Sequence, residues 1–222
     1  MKTTFATTVL FTSMIAMALG QKPTLGTKTQ IAPFPKSCER TKELDGSDRL
    51  SEIKAISPVE RVALIKAISI QLRPGSKIGN SSSEKKLLQA VMETRVTFVD
   101  LNMDGISEVI AQASDEKSCS PTGNCSFWVF MRSDNGYKLI LEKGAVQTVG
   151  ICTSRTNSFN DLVLRQHGSA FEQTLYIYRF ANGRYGKKLC YDVRFERLVG
   201  DEVQELEEPD ITRCYVANGK QQ

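Results

Sequence analysis

Oxygen-bearing side chains alternate with other residues in one short segment of the chain, residues 100–108. These side chains belong to Asp100, Asn102, Asp104 and Glu108. A hard divalent cation such as Ca²⁺ binds roughly six to eight oxygen atoms, and alternate spacing turns the first three side chains toward one centre. Gly105 permits the sharp turn, and the backbone carbonyl of Ile106 would supply a further oxygen. The segment therefore predicts a Ca²⁺ site, and the alternative is an acidic, solvated turn between two strands.

The flanks of this loop decide which kind of calcium site it would form. An EF-hand requires a helix on each side and a bidentate Glu at position 12 of the loop, but position 12 here is Ala111. Residues 97–99 and 109–113 have the composition of strands rather than helices. The sequence therefore predicts strand, loop, strand, and argues against an EF-hand.

In this form the segment resembles the calcium loops of FG-GAP/VCBS (integrin-propeller-like) repeats, which follow the pattern D-x-[DN]-x-D-G-x-x-[DE]. The resemblance is confined to the loop and its immediate flanks. It implies a Ca²⁺ in a structural role and a non-catalytic module that binds or adheres to another molecule.

The N-terminus has the pattern of a signal peptide. Lys2 precedes an apolar run that ends at Ala18-Leu19-Gly20, which predicts a signal peptide over residues 1–20. A membrane anchor is the poorer alternative, because Thr and Ser interrupt the run and it is short for a span. We therefore expect a secreted or periplasmic protein with no membrane span after cleavage. The formal net charge of +4 is spread along the chain and gives no case for a nucleic-acid partner.

All six cysteines follow the predicted signal peptide. An even number of cysteines in an exported chain predicts disulfides. Cys119 and Cys125 form the easiest pair to assign, because Pro121 and Gly123 can fold the short segment between them back on itself. The other four cysteines, Cys38, Cys152, Cys190 and Cys214, allow three pairings, among which the sequence does not choose. A zinc site is the rival reading, but the chain has no C-x-x-C pair and a single histidine.

Two helices are predicted before any long strand. Ser57-Pro58-Val59-Glu60 places Ser at the N-cap, Pro at N1 and Glu at N3 of the first helix. That helix is apolar on most of its faces, so we expect it to be well buried. A second capping pattern over residues 81–84 opens a helix that is apolar on one side. Eight strands follow, over residues 94–99, 107–113, 126–132, 137–142, 145–151, 160–166, 172–180 and 185–194.

An internal repeat is suggested by two hairpins and the segments that precede them. Asn135-Gly136 and Asn182-Gly183 are strong hairpin signals, 47 residues apart. Upstream, Glu108 aligns with Asp161 at a spacing of 53, although Gly105 then meets Ser158. A second copy would thus keep its strands and lose its ion, and the alternative is that hairpin-rich domains resemble themselves by chance. A period near 50 is the size of a propeller blade, but two units do not close a propeller. We therefore expect one curved antiparallel sheet, or two packed sheets, with the helices covering one face.

Catalytic readings of the chain have little support. His167 could act as a base with Ser169 as the nucleophile and Asp161 as the orienting acid, but Ser169 lacks the context of an activated nucleophile. The carboxylates lie mostly in the predicted ion loop or in the acidic segment 200–210, so a facing pair for glycoside hydrolysis is not evident. Aromatic residues of the strands could form a recognition surface, although core packing is the better default. The acidic segment itself is predicted as a solvated loop or a short helix.

These observations predict an α+β protein, with two N-terminal helices packed on an antiparallel β region of one or two blade-sized units and with disulfides. The predicted organisation is a signal peptide (1–20), an extended lead-in (21–56) and one domain (57–222) with helices at 57–93, strands at 94–199 and a tail at 200–222. The favoured role is a non-catalytic binding or adhesion module with a structural Ca²⁺, whose partner is a protein or polysaccharide of the cell envelope or exterior. The alternatives are a hydrolase, an inhibitor of one such as lysozyme, and a purely structural envelope protein.

Overall fold

The computed structural model describes residues 34–38, 42–43, 48–73, 81–199 and 202–214. The predicted signal peptide, much of the predicted lead-in and the last eight residues lie outside this part of the chain. The described residues contain a 3₁₀ turn (Lys36–Cys38), helices α1 (Pro58–Leu72) and α2 (Ser81–Glu93), and eleven strands. The strands are β1 (Lys42–Glu43), β2 (Asp48–Arg49), β3 (Arg95–Val99), β4 (Glu108–Gln112), β5 (Cys125–Ser133), β6 (Gly136–Val146), β7 (Thr148–Thr156), β8 (Phe159–His167), β9 (Glu172–Ala181), β10 (Arg184–Val199) and β11 (Glu202–Arg213).

The strands form two antiparallel sheets. The five-stranded sheet has the order β2-β3-β4-β5-β6, and the six-stranded sheet has the order β1-β7-β8-β9-β10-β11. β3 to β6 form an up-and-down meander in the five-stranded sheet, and β7 to β11 form one in the six-stranded sheet. The turn between β9 and β10 places Asn182 and Gly183 at φ 53° and 76°, and positive φ at both central residues is what a type I′ hairpin requires. The described fold is thus α+β and mostly β, and each strand predicted between residues 94 and 194 has a counterpart.

Apolar side chains from both sheets share one buried cluster. Its residues are Leu101, Ile110, Phe127, Val129, Ile140, Leu141, Val146, Val149, Phe159, Leu162, Leu164, Tyr178, Phe180 and Tyr185. Phe159 stacks on Phe180 with ring centroids 3.8 Å apart, and both rings meet Tyr185 edge-on. Of the two arrangements expected from the sequence, the chain adopts two packed sheets.

A second buried cluster joins side chains of both helices to the five-stranded sheet. Leu64 and Ile68 of α1 and Val91 of α2 belong to it, together with side chains of β3, β4 and β5. The N-cap of α1 is as predicted, because the Ser57 hydroxyl accepts a hydrogen bond from the backbone N–H of Glu60 at 3.2 Å. None of the helices in the described part of the chain has the length and apolar character needed to cross a membrane.

The expectation that α1 is well buried is wrong. Val59, Val62 and Ile70 are 81%, 67% and 59% exposed. They fall on the same side of the helix, opposite Leu64 and Ile68, so only one face of α1 contributes to the buried cluster. Apolar composition all around the helix therefore gave a false indication of burial.

Three disulfides connect the chain. Cys119–Cys125 closes the short segment before β5, which confirms the pair assigned from the sequence. Cys38–Cys152 joins the 3₁₀ turn to β7, and Cys190–Cys214 joins β10 to the end of β11. Cys38 and Cys152 belong to a third buried cluster, on residues of β7 to β10 that are not part of the cluster between the sheets. Residues of the predicted lead-in therefore contribute a disulfide and, through β1 and β2, a short strand to each sheet.

The prediction of a loop or short helix for the acidic segment is wrong over its described residues. Glu202–Arg213 forms β11, which pairs with β10 on both sides of an irregularity, and it is the edge strand of the six-stranded sheet. The side chains of β11 are nevertheless exposed, apart from the partly exposed Leu206. Solvation was therefore predicted correctly, and the backbone conformation was not, because pairing with β10 and the Cys190–Cys214 bridge hold the chain extended.

Candidate calcium loop

The predicted calcium loop connects β3 to β4. Val99 and Glu108 form the last pair of the two strands, so residues 100–107 are the loop. Met103 and Gly105 have φ of 60° and 84°. Left-handed backbone at two nearby positions turns the loop sharply, and Gly105 adopts it without the steric cost that a β-carbon would bring. The strand, loop, strand arrangement is the one expected from the flanking sequence.

The side chains of the first three predicted ligands bind the backbone of their own loop. The Asp100 carboxylate accepts hydrogen bonds from the N–H groups of Asp104 (3.2 Å) and Gly105 (2.9 Å). Asp104 Oδ1 accepts from the N–H of Ile106 at 2.7 Å. The Asn102 side chain accepts from the N–H of Asp104 (3.0 Å) and donates to Asp104 Oδ2 (2.8 Å). These contacts gather two carboxylates and one amide within a single turn.

The fourth predicted side chain, Glu108, differs from these three because it is buried. It is 1% exposed and accepts a hydrogen bond from the N–H of Leu101 at 2.8 Å. Burial raises the pKa of Glu108, and repulsion from Asp104 and Asp100 raises it further, whereas the Leu101 hydrogen bond lowers it. Asp100 and Asp104 are therefore close enough to Glu108 for their charges to act on it.

Among the described residues, the charges that act on Glu108 are those of Asp104 and Asp100, and no protein cation is one of them. Salt bridges in this part of the chain include those of Arg49 with Glu93, Arg132 with Glu60, Arg179 with Asp161 and Arg194 with Glu172. None of them involves Asp100, Asp104 or Glu108. Ca²⁺ binds clusters of carboxylate and carbonyl oxygens and supplies positive charge that such a cluster lacks.

The described side chains do not by themselves form a complete metal cage. Among the residues that the structure describes, His, Cys, Asp and Glu side chains form no ready-made group of three for a metal ion. The predicted donor set also draws on the Asn102 side chain and on the carbonyl of Ile106, a residue that is 49% exposed in the loop. The donor chemistry fits Ca²⁺, because a carboxylate oxygen that accepts one hydrogen bond from a loop amide keeps a second lone pair for an ion.

Asp161, which aligns with Glu108 but lies in the six-stranded sheet, has different contacts around its carboxylate. Asp161 is 2% exposed and accepts hydrogen bonds from the hydroxyls of Ser154 (2.8 Å) and Thr156 (2.7 Å). Arg179 Nε lies 3.5 Å from its Oδ2, so a protein cation neutralises it. The hairpin before it turns through only two residues, Asn157 and Ser158, both with positive φ. Each hairpin thus contains one buried acid, and of these two only Asp161 forms a salt bridge with a described cationic side chain.

Replacing Arg179 tests how much this internal cation contributes. In Arg179→Met, Asp161 stays buried with two hydroxyl partners only, and we expect the free energy of unfolding to fall by about 2–3 kcal/mol. The matched control is Arg194→Met, whose pair with Glu172 is exposed on both sides (62% and 56%) and should cost less than about 1 kcal/mol. Urea denaturation of both variants measures the difference. Equal losses would show that Asp161 does not depend on Arg179.

The loop is also fixed to the opposite sheet. Leu101 is fully buried in the cluster between the sheets. Its carbonyl accepts a hydrogen bond from the N–H of Asn160 in β8 at 2.8 Å, and the Asn160 carbonyl accepts from the Tyr185 hydroxyl at 2.8 Å. Burial raises the pKa of Tyr185, with further contributions from the charges of Glu108 and Asp161. The loop, both buried acids and Tyr185 therefore form one connected region.

The fold does not bring Asp161 and His167 of the catalytic hypothesis together. Asp161 and His167 lie six residues apart on β8, about 20 Å along the strand. The backbone of His167 exchanges two hydrogen bonds with the Asn124 side chain, and its ring contacts Gln173 at 3.1 Å. Ser169 accepts a hydrogen bond from the N–H of Phe171. The contacts of His167 are thus structural. Asn124 begins an Asn-Cys-Ser glycosylation sequon, but it is only 4% exposed.

The aromatic strand residues are mostly core. Phe127, Trp128, Phe130, Tyr178, Phe180 and Tyr185 are each less than one-tenth exposed. Tyr176 is the partly exposed member of this set. Core packing, the default expected from the sequence, accounts for all but this residue.

Two contacts around the loop could not be predicted from the sequence. Arg179 lies 18 residues from Asp161 on the neighbouring strand, and Asn160 lies 59 residues from Leu101. The alignment of Asp161 with Glu108 marked Asp161 as the counterpart of a loop acid, but it indicated neither its burial nor its pairing with Arg179. Comparison with known protein families, with characterised proteins and with solved structures finds no match to this chain.

Proposed function

We propose that this chain is an exported, non-catalytic binding module in which residues 100–108 hold a structural Ca²⁺. The observation that carries the proposal is the contrast between two buried acids. Asp161 is paired with Arg179, whereas Glu108 faces the charges of Asp100 and Asp104 with no described protein cation beside it. A bound divalent cation would supply at Glu108 the positive charge that Arg179 supplies at Asp161.

The position of the loop explains what the ion would do. Leu101 links the loop to the core between the sheets and, through Asn160, to β8. Ca²⁺ would neutralise the carboxylates and hold the connection between β3 and β4 in the geometry that places Leu101. The ion would therefore stabilise the contact between the two sheets rather than the loop alone.

Further features support the proposed class of protein. A four-stranded antiparallel meander is the unit of a propeller blade. β3 to β6 form such a meander and β7 to β11 form a five-stranded one, which supports the resemblance of the loop to FG-GAP/VCBS repeats for the first sheet. Three disulfides support export to an oxidising compartment, because such bridges are rare in reducing ones.

Removal and return of calcium tests the ion site. For an affinity of about 10⁻⁴ to 10⁻³ M, typical of extracellular modules, a tenfold excess of Ca²⁺ adds about 1.4 kcal/mol. We expect Ca²⁺ added back after EDTA to raise the melting temperature by about 3–6 °C. Asp104→Ala should abolish this gain. The matched control is Asp134→Ala, which removes an exposed acid from the β5–β6 turn and should keep it. A melting temperature indifferent to EDTA and Ca²⁺ would refute the site.

Glu108 gives this effect a pH dependence. Without an ion, the raised pKa means that folded Glu108 holds a proton more tightly than the unfolded chain does. Stability from this group is thus present below the ordinary value of 4.5 and is lost as the pH rises through the folded pKa. Ca²⁺ needs the ionised carboxylate and reverses this sign. The gain from Ca²⁺ should therefore shrink as the pH is lowered from neutral toward 4.5. A gain that is constant over this interval would exclude Glu108 as a ligand.

The binding role requires a separate measurement. We expect saturable binding to a purified envelope polysaccharide or envelope protein, lost in the Asp100→Ala/Asp104→Ala variant because its recognition surface is no longer held in place. Hydrolysis of the polysaccharide, or inhibition of lysozyme, would instead point to the enzymatic or inhibitory alternatives. A calcium-stabilised protein that binds no such molecule would be a structural envelope protein.

A further inference from the structure

Two lysines from different sheets meet at one tyrosine ring. Lys143 of β6 and Lys187 of β10 place their Nζ atoms 5.0 and 5.1 Å from the ring centroid of Tyr176 in β9. β6 is the edge strand of its sheet, and it contacts β10 of the other sheet. The cation–π contacts hold both ammonium groups at this β6–β10 seam.

Neither ammonium group has a carboxylate partner among the described residues. Lys143 and Lys187 take part in none of the salt bridges found among the described residues. The acid whose charge acts on Tyr176 is Asp192, and its Oδ1 already accepts a hydrogen bond from the Thr174 hydroxyl at 3.0 Å. Burial lowers the pKa of Lys143, and the charge of Lys187 lowers it further. Among the described residues, these two ammonium groups thus lie at one ring without a carboxylate in salt-bridge contact.

A third lysine extends the positive charge along the same seam. Lys138 Nζ lies 3.5 Å from the position that a β-carbon on Gly183 would occupy, so it sits beside the β9–β10 turn. Lys138 and Lys143 are five residues apart on β6, about 16 Å along the strand. Like the other two, Lys138 takes part in none of the described salt bridges. Charges repeated along a strand suit an extended polyanion better than a single small ion.

We propose that the β6–β10 seam binds the anionic groups of an acidic polysaccharide, with Lys143 and Lys187 as the principal contacts and Tyr176 as the surface that positions them. Sulfate and carboxylate groups share the required chemistry, because both accept charge-assisted hydrogen bonds from ammonium groups. This inference rests on the binding role proposed above and names the class of ligand for it.

Binding to dextran sulfate, carboxymethyl dextran and neutral dextran tests the proposal in the presence of Ca²⁺. The wild-type chain should bind one or both charged polymers and not the neutral one, and the two charged arms distinguish sulfate from carboxylate recognition. Lys143→Gln/Lys187→Gln should weaken binding at least tenfold, while Lys143→Arg/Lys187→Arg keeps the charge and should stay within about threefold. The matched control is Lys85→Gln/Lys86→Gln, which removes the same charge from exposed positions on α2 and should change binding less than about twofold.

Equal weakening in both glutamine doubles, or no binding to either charged polymer, would overturn the proposal. Should the seam variant fail to fold, the wild-type protein provides a second measurement. Bound polyanion should protect Lys143 and Lys187 from acetylation more than Lys85 and Lys86, as read by peptide mass spectrometry, and equal protection would also overturn it. Lysine-dependent binding by a chain whose melting ignores Ca²⁺ would refute only the ion site. A calcium-stabilised chain that binds no polyanion would refute only this inference.

Discussion

Loss of the Cys38–Cys152 disulfide should cost about 5 kcal/mol of unfolding free energy, as expected from closing a long loop in the unfolded chain. The bridge spans 114 residues and ties the N-terminal segment to β7. Both sulfur-bearing residues are buried, at 2% and 1% exposed, so replacement also disturbs a packed cluster. Because whole domains of this size are stable by roughly 5–15 kcal/mol, the Cys38→Ala/Cys152→Ala variant should be close to unfolding at 37 °C. Urea denaturation followed by circular dichroism measures the loss.

The Cys119–Cys125 bridge is the matched control for this experiment. It closes only 6 residues, so Cys119→Ala/Cys125→Ala should cost about 2 kcal/mol by the same reasoning. If the two double variants lost the same stability, constraint of the unfolded chain would not be the source of the effect.

Leu101→Ala should lower the free energy of unfolding by about 3 kcal/mol, the usual cost of emptying a leucine site in a packed core. Leu101 is fully buried between the sheets although it belongs to the loop between β3 and β4. Its N–H also donates to Glu108, so movement of the loop would disturb the candidate ligand. If Ca²⁺ stabilises the protein as proposed, we expect the variant to need a higher Ca²⁺ concentration for half of that thermal stabilisation. Chemical denaturation and calcium titration by thermal melting report the two effects.

Met103 provides a control within the same loop. It is 71% exposed, so Met103→Ala should change stability by no more than about 0.5 kcal/mol. It should also leave the calcium titration unaltered. A loss of stability in Met103→Ala as large as that in Leu101→Ala would mean that the loop responds to side-chain truncation in general and not to its anchor in the core.

The meander strands could be predicted because their local signals agree with their surroundings. Each of them is a short β-prone run bounded by turn residues, and the Asn182-Gly183 turn is set by local sterics alone. β11 was not predicted as a strand, because its five acids and Pro209 are unfavourable in strands. Its extended conformation comes from pairing with β10. The exposed side of α1 was predicted wrongly as well. Its apolar composition indicated burial, but no described element packs against that side.

The candidate site shows the same division. Alternating oxygen donors and a glycine are local, and in the structure Asp100 and Asp104 accept hydrogen bonds from backbone N–H groups of the same loop. Its setting is not local. The burial of Glu108 and the contact of Leu101 with Asn160 arise only when the two sheets pack. Long-range pairings of this kind depend on the tertiary fold, which spacing along the chain does not specify.

The long edge strand β11 has a consequence for how the protein behaves at high concentration. An unpaired strand edge can recruit other chains into a growing sheet, and dense negative charge together with a proline hinders that recruitment. β11 carries Glu202, Glu205, Glu207, Glu208 and Asp210 beside Pro209. Colloidal behaviour is therefore tied to the ionisation of this edge. Acidic or high-salt conditions weaken the electrostatic barrier to self-association even where the fold itself is intact.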